Sequence, residues 1–102
     1  MKRTVRFLAT AEAEIDEAIV WYENQSQGLG AEFARALRVA ELAVMRDAGR
    51  FPVLYVAESG RQVRRVLLRR FPYSVHYLLE ADSVVVLACL HGRRDPKYRD
   101  RS

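Results

Sequence analysis

Hydrophobic positions along the chain change their period twice. Residues 3–8, Arg-Thr-Val-Arg-Phe-Leu, are β-branched and partly alternating, which predicts a short strand. The period then lengthens: Ile15, Ala18, Ile19 and Tyr22 fall on one helical face, with Asp16, Glu17 and Glu23 off that stripe. Thr10 stands where a helix cap belongs, and Glu12 and Glu14 follow at the positive end of the helix dipole. Gln27-Gly28-Leu29-Gly30 interrupts the pattern, and a second helical run takes Leu29, Phe33, Leu37, Ala40 and Val44, with Ala36 and Ala43 beside them. So short a break makes the two helices antiparallel neighbours. Gly49 is the expected C-cap, and Pro52 prevents continuation.

Residues 50–60 read as irregular, ending in the turn Glu58-Ser59-Gly60. Three β-rich runs follow at 62–69, 73–80 and 84–91, separated by Phe71-Pro72 and by Ala81-Asp82-Ser83. The run Val84 to Leu90 is apolar on both parities, so it belongs to a central strand covered on both sides. The predicted fold is therefore α+β, in the order β-α-α-β-β-β: a helical hairpin packed on one face of an antiparallel sheet. The other face is expected to be partly exposed or covered by another molecule. The tail beyond Arg93 is polar, and its part 95–102 is expected to be flexible or a short helix.

A length of 102 residues implies one domain, 1–102, and half the residues are hydrophobic, enough for a core without staples. Cys89 is the only cysteine, which excludes an intramolecular disulfide and any multi-cysteine metal site. No apolar stretch approaches the roughly 20 residues that span a bilayer, and the start MKRTVRFLATAEAEID lacks a secretory apolar region. A cytoplasmic protein without membrane contact is expected. Charge is divided unevenly. Residues 1–48 hold six Lys or Arg against eight Asp or Glu, whereas 49–102 hold eleven against five. The second half therefore calls for an anionic partner surface, or else presents a solvated basic sheet edge.

The run Val63-Arg64-Arg65-Val66-Leu67-Leu68-Arg69-Arg70-Phe71-Pro72-Tyr73-Ser74-Val75-His76-Tyr77, closed by Leu90-His91-Gly92-Arg93-Arg94-Asp95-Pro96, resembles the RelE/ParE toxin superfamily. So does Ala13-Glu14-Ile15-Asp16-Glu17-Ala18 to Trp21-Tyr22-Glu23 before the turn at Gly28. The resemblance runs in order over nearly the whole chain. It implies the toxin of a type II, plasmid-stabilisation-type toxin–antitoxin module, bound and neutralised by an antitoxin that lays a helix and an extended segment in grooves beside the sheet. It also implies one of two targets: DNA gyrase for ParE-like members, mRNA in the ribosome for RelE-like ones.

A metal-free ribonuclease needs a base, cations and an acid around one phosphate. By the resemblance, Arg65, His91, Arg94 and Tyr98 are the residues that would serve, although the spacing of Tyr98 departs from the nuclease pattern. Ser74 stands where the nuclease branch carries an arginine, and a serine cannot neutralise a phosphate. That favours the ParE-like branch, a toxin that binds rather than cuts. A third reading is a non-toxic member retained as an antitoxin-binding protein. Arg64, Arg65, Arg69, Arg70, Arg93 and Arg94 are the candidate contacts to target or antitoxin, with 65 and 69 on one side of a strand and 64 and 70 on the other. No cofactor and no metal are expected. If Leu79 pairs with Val84, then Ser74, His76, Cys89 and His91 share one sheet face, a Cys–His geometry that is more often inert packing. Trp21, Tyr22, Tyr73 and Tyr77 are expected in the core, and His91 is expected to hold backbone rather than transfer protons.

Overall fold

The structure, a computed structural model, describes residues 4–94, the last by its backbone alone. It contains β1 (Thr4–Phe7), α1 (Ala9–Gln25), α2 (Leu29–Arg46), β2 (Val53–Val56), β3 (Gln62–Leu67), β4 (Tyr73–Leu79) and β5 (Ser83–His91). Single 3-10 turns lie at Ala48–Arg50 and Gly92–Arg94. Two helices pack on one sheet of order β1-β5-β4-β3-β2, the α+β architecture that the hydrophobic pattern predicts.

Two details differ from that expectation. The sheet is mixed: β2 to β5 pair antiparallel, but β1 runs parallel to β5, with Thr4 beside Ser83 and Phe7 beside Val86. Parallel neighbours need a long connection, which the helical hairpin and the meander supply. The segment expected to be irregular also contains β2, an edge strand with Val53 opposite Arg64 and Val56 opposite Gln62. Four residues between Pro52 and a turn are too few for alternation to show.

The α1 pattern holds, since Ala11, Ile15 and Ala18 are buried, but its start does not. The helix begins at Ala9 with Leu8 extended before it and no side-chain cap, so Thr10 lies inside the first turn. The second helix is capped from outside. Gly28 is left-handed at φ 89°, and Glu23 on α1 accepts the N–H of Gly28 at 3.0 Å and that of Gly30 at 3.0 Å. A carboxylate there meets the positive end of α2. A Cβ on Gly30 would lie 2.8 Å from the carbonyl oxygen of Ile19, so glycine lets the two helices approach at this point. Glu23→Ala is expected to cost about 1–2 kcal/mol by leaving those N–H groups unpaired. Urea unfolding at pH 7 checks it, and a loss below a few tenths of a kcal/mol would contradict it.

The core lies between helices and sheet. Phe33, fully buried, stacks with Tyr22 at 5.5 Å and meets Phe71 and Tyr73 edge-on at 5.2 and 5.1 Å. Tyr77, also fully buried, donates its hydroxyl to the carbonyl of Ala48 at 2.6 Å. The opposite sheet face is less open than expected: Val63, Val85, Ser74 and His76 are all buried within the chain. Trp21 departs the other way, at 55% exposed. It sits one residue off the buried stripe that ends in Tyr22.

Candidate functional site

The six candidate arginines do not form one patch. Arg64 is half-buried and donates to the carbonyl of Phe51 at 2.6 Å and to Gln62 at 2.9 Å, fastening the start of β2. Arg65 lies on the opposite face, cross-strand from His76. Arg69 and Arg70 leave the strand, because β3 ends at Leu67. Arg70 takes a left-handed φ of 72° and pairs with Glu32 on α2 at 2.7 Å. Glu80 pairs with Arg6 and Arg61. The N–H of Gly92 donates to the carbonyl of Pro72 at 2.7 Å, tying the end of β5 to the β3–β4 turn. This brings exposed Arg69, Arg70 and Arg93, with the backbone of Arg94, to one end of the sheet. The side chain of Arg94 and all of Tyr98 lie outside the described residues.

His91 closes β5 on the helix side. Its ring meets Tyr73 edge-on at 5.3 Å, and its Nδ1 accepts the N–H of Arg93 at 3.1 Å, which places the ring proton on Nε2 when the imidazole is neutral. Beside it opens a cleft of about 350 Å³ between α1 and the last residues of β5. Its walls include Glu14, Glu17 and Trp21 on one side and Cys89, His91 and Arg93 on the other. Glu14 accepts the backbone N–H of Cys89 at 2.8 Å.

The Cys–His geometry does not form. Leu79 does pair with Val84, but the register shifts between His76 and Tyr77, where β5 carries Leu87 as an extra residue. Val75 therefore faces Cys89, and Ser74 faces Leu90. Ser74 and His76 touch at 3.2 Å on one face, while Cys89 packs into the helix-side core on the other. Burial, with the Glu14 carboxylate beside it, pushes the Cys89 thiol up to about 12, so the thiol stays protonated and unreactive.

A model of the ParE toxin of type II toxin–antitoxin (parDE) systems matches residues 5–96. The chain belongs to the ParE toxin family. No curated protein matches it in sequence. Among solved structures, it is similar to a chain from the chromosomal ParDE toxin–antitoxin system of P. aeruginosa. The TM-score is 0.73 at 13% identity, over 88% of this chain and 96% of that one, a likeness of fold. Family membership implies an antitoxin as partner.

Within this ParE toxin, the motif residues divide by role. Tyr22, Tyr73 and Tyr77 build core, and burial raises the pKa of Tyr22 as well as that of Tyr77. Arg65 and His91, two members of the quartet a nuclease would need, lie in strand rows that face opposite sides of the sheet. Among the described residues no helix is long and apolar enough to cross a membrane. Sequence reasoning missed Glu14, which looked like a first-turn acid but holds a strand amide. The one available signal was its place one residue before Ile15 on the buried stripe.

Proposed function

We propose that this ParE toxin arrests growth by binding and inhibiting DNA gyrase, and that a cognate antitoxin neutralises it by forming a hetero-oligomer with it in the cytoplasm. Membership of the family supports the toxin reading. Ser74 carries the choice of target: it is 1% exposed and bonded to His76, at the position where a ribonuclease of this superfamily keeps a cation. The arginines at the end of the sheet, Arg69, Arg70, Arg93 and Arg94, then act through a protein interface, where arginine is a frequent anchor.

The test is a supercoiling reaction with purified protein. Loss of gyrase activity at stoichiometric toxin, restored by the antitoxin, is the expected result. Full supercoiling at saturating toxin would overturn the reading. New mRNA 5′ ends on induction would then replace it with ribosome-dependent cleavage, for which Arg65, His91, Arg94 and Tyr98 are the residues to substitute. Unimpaired growth on induction without antitoxin would point to the non-toxic member.

A further inference from the structure

The two outer strands of the sheet differ in how their edges are guarded. β1 carries Arg6 between Val5 and Phe7, a charge of the kind that keeps an edge from pairing. β2, Val53-Leu54-Tyr55-Val56, carries no charge, and Val53, Tyr55 and Val56 are exposed, Val56 at 60%. Its backbone bonds show where a further strand would attach. The carbonyl of Pro52 accepts the N–H of Arg65, and the N–H of Ala57 donates to the carbonyl of Arg61. Successive residues of a strand bond to opposite sides, so the main-chain groups of Val53 and Val56 point away from β3. The register shift between Val53 and Tyr55 also sets both valine side chains in one row. Val53 lies opposite Arg64 and Val56 opposite Gln62, on the parity of the core residue Val66.

We propose that β2 is the contact of a homodimer. Two copies pair their β2 strands antiparallel about a two-fold axis, Val53 of each opposite Val56 of the other, and one sheet runs through both. Three features select a second copy of this chain over another strand. The outward main-chain groups stand at two positions that become partners under the two-fold, so each copy supplies what the other lacks. The two valines then meet on the same sheet face, as a cross-strand apolar pair. The flanks are complementary as well: exposed Arg50 precedes the strand and exposed Glu58 follows it, and antiparallel pairing sets one beside the other. Neither has an ion-pair partner among the described residues. Pro52 has no N–H and Ala57 turns its own toward β3, so the ladder stops at both ends and holds one register. Four residues a side make a small interface, so a dissociation constant in the micromolar range is expected. In the strand order β1-β5-β4-β3-β2 the contact lies at the edge remote from β5, so the cleft between α1 and β5 stays open in the dimer.

The free toxin, purified away from its antitoxin, is followed by sedimentation equilibrium from about 1 μM to about 1 mM. Its mass is expected to rise from one chain of 11.8 kDa to two and no further, since a two-fold contact closes on itself. Amide exchange at Val53 and Val56 is expected to slow about tenfold or more over the same range. Val56→Lys, an exposed change, is expected to weaken the dimer about tenfold or more by setting a charge on the edge. Glu58→Arg is expected to weaken it several-fold, and Arg50→Glu in the same chain to restore it, a rescue that a role within one monomer would not give. If Val56→Lys fails to fold, the charge exchange decides by itself. A single chain throughout, or a dimer that keeps its strength in both Val56→Lys and Glu58→Arg, would overturn the proposal. So would protection of Val56 that appears only on adding antitoxin, which would give this edge to the antitoxin instead.

Discussion

A Phe33→Ala variant is expected to lose about 3–5 kcal/mol of stability, and with it growth arrest on induction. Phe33 is fully buried, and three aromatic rings, Tyr22, Phe71 and Tyr73, lie within 5.5 Å of its ring centroid. These neighbours come from α1, the β3–β4 turn and β4, so no single element can move in to fill the space. Removing the ring forfeits its transfer free energy and its edge-on contacts, and leaves a cavity that rigid neighbours cannot close. Domains of this size are commonly stable by about 5–15 kcal/mol, so the variant stands near the limit of folding. Urea titration measures the effect as a fall in midpoint at constant m-value. Phe33→Leu keeps most of the volume and is expected to cost less than half as much. A loss under about 1 kcal/mol for the alanine variant would mean that the cluster relaxes and is not the anchor of the fold.

Alkaline pH is expected to unfold the protein through its buried acids. Burial, with Glu14 beside it, raises Cys89 from 9.0 to about 12. Burial raises Tyr77 from 10.0 to about 12, with Arg64 opposing the shift and Asp47 adding to it. Tyr22 shifts the same way by burial. Each group keeps its proton in the folded state at a pH where the unfolded chain has released it. Their contribution is therefore intact below pH 9 and is lost as pH rises toward 12. Each group in transition steepens the fall by about 1.4 kcal/mol per pH unit, so Cys89 acts first and Tyr77 joins it above pH 10. Denaturant unfolding at pH 8, 9, 10 and 11 follows this loss. Cys89→Ala is expected to remove the part that begins at pH 9 while leaving the steeper fall above 10. Stability that stays level from pH 8 to 11 would contradict the burial argument for both residues.

The candidate site was less legible than the fold. Arginines were visible as a basic second half, yet the two sides of a strand and a chain reversal at Leu68 to Pro72 distribute them to separate surfaces. Two of them, Arg64 and Arg70, serve the fold by holding Phe51 and Glu32. The cleft could not be read at all, because it depends on how far β1 reaches along β5, a property of neither strand by itself.

Periodicity alone placed the helical hairpin and the three-stranded meander, because burying one stripe of a helix or a strand writes that period into the residues. Motif resemblance added the family. Tertiary structure decided the rest. One extra residue in β5, Leu87, turns Cys89 to the face opposite Ser74 and His76, and nothing in the local pattern marks it. A parallel β1 that stops at Phe7 leaves the edge that Glu14 covers, from 75 residues away in the chain. Such choices are set by contacts between distant segments, whose free energies do not depend on any one segment's pattern, so only the folded chain resolves them.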